Sequence, residues 1–225
     1  MNFFRVIALI VWKDGLSELR SRENVSSMFF FALLTIFIFN FSLSLDQRAT
    51  QELAPGLIWI AFSFTGIIGL GRAFLAEREN DCLEALLIAP VPKGALYLGK
   101  LLGNFLFMLT VEVLLFPLFV LFFNLEAGGG PGLLLLVFVL GTLGLSALGT
   151  LFSAMMVQVR AREVMFPILM LPLAVPVMIA AVQATAGILH GSPWAQYGSW
   201  ISLLAVFDLI FIVIAFWTFE FILEG

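Results

Sequence analysis

Long stretches without a charged residue constrain most strongly what this chain can fold into. The stretches are residues 24–45, 53–71, 101–125, 127–159 and 164–207. The one charged residue within them is Glu112. A helix needs roughly 20 mainly apolar residues to cross the hydrocarbon of a bilayer. Hydrophobic residues make up 62% of the chain and charged residues 12%, against roughly 45–50% and about 25% in soluble domains. The sequence therefore predicts an all-α integral membrane protein.

Six membrane-spanning helices are expected, in a single transmembrane domain over residues 1–225. Glycines and a proline at residues 128–132 interrupt one charge-free stretch. Residues 183–199, rich in Gly, Ser, Gln and Pro, divide another and are predicted to form a loop. The approximate spans are 25–45, 53–75, 96–124, 133–156, 164–182 and 200–221.

The distribution of Lys and Arg predicts the orientation, because cytoplasmic loops of membrane proteins retain these residues. With six spans, one side of the membrane holds only Arg48. The other side holds Arg5, Lys13, Arg20, Arg22, Arg72, Arg78, Lys93, Lys100, Arg160 and Arg162. Both termini are therefore predicted to lie in the cytoplasm.

The first residues resemble a signal peptide only superficially, because the apolar run is short and no small-residue cleavage site follows it. Phe3, Ile7 and Ile10 recur at helical spacing, with Arg5 and Lys13 among them. This pattern predicts an amphipathic helix that lies along the inner surface of the membrane.

A cytoplasmic segment between the second and third spans has its own pattern. Asp81 and Glu84 have the spacing of a capping box, and Pro90 and Pro92 end the helical pattern. The helix expected at about residues 81–88 has one apolar face, which suggests docking into a groove of a soluble partner. The alternative is a helix lying on lipid, which four acids beside an anionic leaflet disfavour. The candidate partner-binding residues are Glu77, Asp81, Leu83, Glu84, Leu86 and Leu87.

Two acids, Glu112 and Asp208, are predicted inside the membrane, where an unpaired charge is costly. Each could line a polar cavity with a functional role. Each could equally be a protonated carboxyl bonded to a neighbouring helix, with Asn104 or Thr110 among the possible partners. Both interpretations stay open.

Small residues recur at every fourth position of the fourth predicted span, at Thr142, Ser146, Thr150 and Ala154. Such a stripe lets helices approach closely in lipid. The glycines at 99 and 103 predict a similar contact at the start of the third span.

No residue pattern indicates an enzyme. Residues 94–100 match G-x-x-x-x-G-K, but Leu101 follows where a magnesium-binding Ser or Thr is needed, so a chance match is expected. His190 has no second His, and Cys82 is the only cysteine, so neither a catalytic residue nor a metal site is predicted. A net charge of −4 makes a nucleic-acid partner unexpected.

The whole chain resembles the ABC-2-type transporter permeases, and more specifically the CcmB family of haem exporter B proteins in bacterial cytochrome c maturation. Phe74, Glu77 and Leu83 match the cytoplasmic signature of that family in kind, whereas residues 80–82 replace the usual Asp-Gly-Ser. The resemblance is strongest at residues 53–59, 74–90, 95–100 and 171–176.

The resemblance implies a homodimer in the bacterial cell inner membrane, bound to two copies of a CcmA-type ATPase that grips the cytoplasmic coupling helix. A CcmC-type haem-handling membrane protein and a CcmE-type haem chaperone are the further partners implied. ATP hydrolysis would be coupled to release of haem-loaded chaperone, with ATP and Mg on the ATPase, haem on the partners and no cofactor on this chain. The resemblance also implies that residues 184–199 re-enter the outer leaflet.

Two alternatives belong to other functional classes. One is a generic ABC-2 exporter of a lipid or drug-like substrate, which needs a substrate cavity. The other is an intramembrane enzyme that uses Glu112 or Asp208.

Overall fold

The computed structural model describes residues 2–21, 23–42, 47–74, 91–125, 130–157, 159 and 161–224. Within those residues it has seven helices and no strand: α1 (Phe3–Ser21), α2 (Glu23–Ser42), α3 (Gln47–Leu70), α4 (Lys93–Phe123), α5 (Pro131–Met156), α6 (Arg162–Leu189) and α7 (Trp194–Glu224). Helices α2 to α7 each contain a segment long and apolar enough to cross a membrane. The predicted all-α fold with six membrane spans is therefore confirmed.

Helices α3 and α5 lie in the middle of the bundle, and α2 and α7 lie at its outside. The small residues of α5 explain its central place, since Thr142, Ser146 and Thr150 are completely buried. Without bulky side chains on this stripe, neighbouring helices approach the backbone of α5 closely. The packing predicted from this stripe is confirmed.

The buried apolar residues form two separate clusters. The larger, here called the membrane core, includes residues from α2 to α7, among them Met28, Trp59, Phe119, Phe138 and Ala181. The smaller lies where α1, the end of α3, the start of α4 and the ends of α5 and α7 meet. It is here called the basic-end cluster, because Arg5, Lys13 and Lys93 lie at this end of the bundle. It comprises Val6, Ile10, Phe74, Ala95, Leu96, Tyr97, Leu101, Ala147, Leu151, Ala154, Val157, Ala215 and Phe219.

A helix is present at the start of the chain, as predicted. On one side of α1, Val6 and Ile10 are buried in the basic-end cluster. On the opposite side, Phe4 and Trp12 are exposed. The helix therefore has one apolar face covered by the bundle and a second that the bundle leaves uncovered.

The loop predicted at residues 183–199 is wrong, because helix continues on both sides of a short turn. The Ser192 N–H bonds the Gly187 carbonyl and the Gly191 N–H bonds the Ile188 carbonyl. Gly191 has a φ of 63°, the left-handed conformation that glycine adopts without a Cβ penalty at a helix end. Only the turn at residues 190–193 matches the Gly, Ser and Pro pattern, and α7 begins directly after Pro193.

Candidate functional site

The predicted docking segment lies between the end of α3 and the start of α4. Its candidate residues, Glu77, Asp81, Leu83, Glu84, Leu86 and Leu87, lie outside the described residues, as does Cys82. The structure does describe the two positions where this segment joins the bundle, Phe74 and Val91. The described residues therefore show where the bundle holds the ends of the segment.

The chain leaves α3 through a tight turn. The Arg72 N–H bonds the Gly69 carbonyl and the Ala73 N–H bonds the Leu70 carbonyl, both over 3.1 Å. These three-residue steps follow directly on the helix and lead to Phe74, which is fully buried. The exit from α3 is thus held both by its backbone bonds and by a buried aromatic ring.

Lys100, two turns into α4, connects three elements at this exit. Its Nζ lies 3.1 Å from Asp14 Oδ2 of α1 and donates to the Ala73 carbonyl over 3.1 Å. The same atom lies 5.2 Å from the centre of the Phe74 ring, within range of a cation–π interaction. Lys100 is only 3% exposed. We call Lys100, Asp14, Ala73 and Phe74 the Lys100 junction.

The glycines before Lys100 are explained by packing. A Cβ at Gly99 would lie 2.8 Å from the Ile10 Cβ, so α1 can pack here only against glycine. A Cβ at Gly94 would overlap the Phe216 ring of α7. The residues that match a phosphate-binding loop therefore form a helix surface that contacts α1 and α7.

Aromatic rings continue the contact from Phe74 into the bundle. The centre of the Phe219 ring lies 6.3 Å from that of Phe74 and 5.3 Å from that of Tyr97. The Tyr97 hydroxyl donates to the Ala147 carbonyl of α5 over 3.2 Å. The exit from α3 is in this way joined to α4, α5 and α7.

Glu112 is bonded by a residue other than those predicted. Thr142 Oγ1 of α5 donates to Glu112 Oε2, whereas Glu112 Oε1 is buried with no hydrogen-bond partner among the described residues. Of the two partners proposed from the sequence, Asn104 bonds Thr150, and Thr110 bonds the Leu106 carbonyl of its own helix. Spacing along the chain could not identify Thr142, because the contact joins two different spans.

Asp208 lies against the backbone of α5. A Cβ at Gly144 would be 2.6 Å from Asp208 Oδ1, so the carboxyl group occupies the space that this glycine leaves. Neither Asp208 oxygen has a hydrogen-bond partner within the described part of the chain. Thr142 and Gly144 differ by about 200° around the helix axis. The two acids therefore approach α5 from different sides.

His190 and the other candidate metal ligands form no site among the described residues. His190 is exposed at the turn between α6 and α7. The described residues contain no group of three or more His, Cys, Asp or Glu that could hold a metal ion. The feature that sequence reasoning missed is the Lys100 junction, whose sequence signal is a lysine two turns into a long, mainly apolar helix.

Comparison with known proteins identifies the family. A family model described as "CcmB protein" matches residues 5–224. The chain belongs to the CcmB family. It is 32% identical to heme exporter protein B of Pseudomonas aeruginosa over 190 residues, 84% of each chain. It is 28% identical to heme exporter protein B of Haemophilus influenzae over 172 residues, 76% of this chain and 77% of the relative.

Segments that carry the resemblance to CcmB include buried residues that connect helices. Trp59 of α3 donates to Thr185 Oγ1 of α6 over 2.9 Å, and both residues are fully buried. Tyr97 and Lys100 of α4 make the contacts described above. In this CcmB protein, these segments therefore coincide with contacts between spans and with the exit from α3.

Proposed function

We propose that this chain is the membrane permease subunit of an ABC complex that serves haem delivery in cytochrome c maturation. A separate CcmA-type ATPase hydrolyses ATP, and the chain converts that reaction into release of a haem-loaded, CcmE-type chaperone. The observation that carries the proposal is the CcmB family match over residues 5–224. The relatives' name, heme exporter protein B, supports haem as the cargo of the complex.

The proposed assembly is a homodimer in the bacterial inner membrane with two ATPase subunits and a CcmC-type haem-handling partner. The end of the bundle that contains the basic-end cluster, with Arg5, Lys13 and Lys93, faces the cytoplasm in this proposal, since cytoplasmic loops retain cations. The segment at residues 75–90 then lies on the side where ATP is available. ATP and Mg are bound by the ATPase, and haem by the partner proteins.

Docking of the ATPase is assigned to the apolar face of the helix expected at residues 81–88, with Leu83, Leu86 and Leu87 filling a groove. The acids Glu77, Asp81 and Glu84 flank that face and would contact cations of the ATPase. An apolar helix face that enters a hydrophobic groove is a common mode of recognition. A charge placed in the middle of such a face is desolvated without a partner, which weakens the complex strongly.

The test is co-purification of the CcmA-type ATPase with the Leu86→Asp variant, in membranes from cells that express the whole complex. We expect the amount of bound ATPase to fall by about tenfold or more, while membrane insertion is unchanged. The matched control is Leu53→Asp, the same change at an exposed position of α3 near the opposite end of the bundle. ATPase bound in full to the Leu86→Asp variant would contradict the docking assignment.

A further inference from the structure

Packing alone does not explain why a lysine side chain is buried at the exit from α3. Lys100 is 3% exposed, and a buried ammonium group is costly unless it is paired and hydrogen-bonded. Asp14 supplies the opposite charge at 3.1 Å and the Ala73 carbonyl accepts a hydrogen bond at 3.1 Å. An apolar residue would fill the same space without that cost, so the lysine is better explained by what it joins.

The Lys100 junction joins the end of the docking segment to α1. Ala73 and Phe74 are the last described residues before residues 75–90, and both contact Lys100. Asp14 belongs to α1, where it continues the line of Val6 and Ile10 that faces α4. The residues that leave α3 are therefore connected to α1 through one ammonium group.

Helix α1 has the surface of an element that rests on a lipid boundary. Phe4 is 82% exposed and Trp12 is 64% exposed, on the side opposite the line that faces α4. Arg5 and Arg20 are also exposed on this helix. Aromatic residues with neighbouring cations are typical of helices that lie in the headgroup region. Such a helix offers a support against which the docking segment can act.

We propose that Lys100 is the positioning residue that couples the docking segment to the membrane-spanning bundle. Lys100 holds the backbone at Ala73 against α1 and α4. Force applied by the ATPase to residues 75–90 then moves the bundle and is not lost in bending at the exit from α3. This proposal rests on the proposed function, because it presupposes an ATPase that acts on that segment.

The test is Lys100→Met in the complete complex with the ATPase, the CcmC-type partner and the haem-loaded chaperone. The measured quantity is the number of chaperone molecules released per ATP hydrolysed. Methionine keeps an unbranched apolar side chain of similar length but removes the charge. We expect the ratio to fall by about fivefold or more, while ATPase co-purification and ATP hydrolysis remain near wild type. The matched control, Arg162→Met, removes a cation at the start of α6, outside α1 and the Lys100 junction, and should leave the ratio unchanged.

A second variant is needed in case the Lys100→Met protein accumulates poorly in the membrane. The double variant Asp14→Asn with Lys100→Met has no buried unpaired charge at this position and should show the same loss of ratio. A wild-type ratio in either variant would overturn the proposal. Loss of ATPase binding in Lys100→Met would overturn it too, since the residue would then act on docking. Failure of the proposed function is distinguishable, because it appears as undiminished ATPase binding in Leu86→Asp.

Discussion

The buried ionisable side chains beside the basic-end cluster and those beside the membrane core have different surroundings. Beside the basic-end cluster, Lys100 has an opposite charge, a carbonyl acceptor and an aromatic ring around it. In the membrane core region, Glu112 has one bonded oxygen, and Asp208 has no hydrogen-bond partner among the described residues. All three side chains are nearly inaccessible.

The difference lies in how many partners each buried ionisable group has on other helices: several for Lys100, one for Glu112 and none for Asp208 among the described residues. A buried group with partners on other helices restricts how those helices can move, whereas a buried group without partners adds a cost and no restriction. The stability of the bundle should therefore depend strongly on the pairing of Lys100, less on Glu112, and little on Asp208. Three measurements of stability test this difference, one for each residue in that order.

The largest effect is expected for Asp14→Asn, which removes the carboxylate charge 3.1 Å from the buried ammonium group of Lys100. The free energy of unfolding in detergent should fall by about 3 kcal/mol. Adding Lys100→Met to this variant should restore about 2 kcal/mol, because the buried ammonium group is then gone. Thermal unfolding followed by circular dichroism measures both. If the double variant were less stable than Asp14→Asn, the pairing would not be what stabilises this end.

An intermediate effect is expected for Thr142→Val, which removes the hydroxyl that bonds Glu112 but keeps the shape of the side chain. The free energy of unfolding should fall by about 1–2 kcal/mol, the cost of a buried acceptor that loses its donor. The control is Thr110→Val, at an exposed position where the hydroxyl bonds its own helix. Equal losses in the two variants, from the same unfolding measurement, would show that the Glu112 bond is not special.

The smallest effect is expected for Asp208→Asn. The amide has nearly the size of the carboxyl and removes no described hydrogen bond, so stability should stay within about 0.5 kcal/mol of wild type. A loss as large as that of Asp14→Asn would mean that Asp208 is paired in the folded protein. The comparison between the two regions would then be wrong.

The sequence predicts the bundle well because span length and charge distribution are local properties. The charge-free stretches locate the six spans, and the small residues of α5 predict its close packing. The contacts of Lys100 and Glu112 could not be predicted from the sequence. Lys100 pairs with Asp14, which lies 86 positions earlier in the chain. Glu112 is bonded by Thr142, which belongs to the next span. Sequence spacing carries no signal for such pairs without the fold.

The prediction for the end of α6 and the start of α7 is wrong for a different reason. Gly, Ser and Gln were interpreted as loop-forming, although residues inside a bundle are selected for close approach as much as for flexibility. Gly187 contacts Tyr197 within the helical pair, where a Cβ would lie 2.7 Å from the tyrosine Cβ. The propensity of Gly187 favours a loop, whereas its close contact with Tyr197 favours two packed helices. The contact determines the structure.

The order in which the chain is synthesised determines when the basic-end cluster can be completed. The ring of Phe219 lies beside those of Phe74 and Tyr97. Ala215 and Phe219 are synthesised after every other buried residue of the cluster. Until the seventh helix leaves the ribosome and enters the bilayer, the rings of the α3 exit have no cover from that side. A nascent chain halted before Trp194 would display this uncovered surface to proteases and chaperones. Completion of the basic-end cluster therefore requires α7.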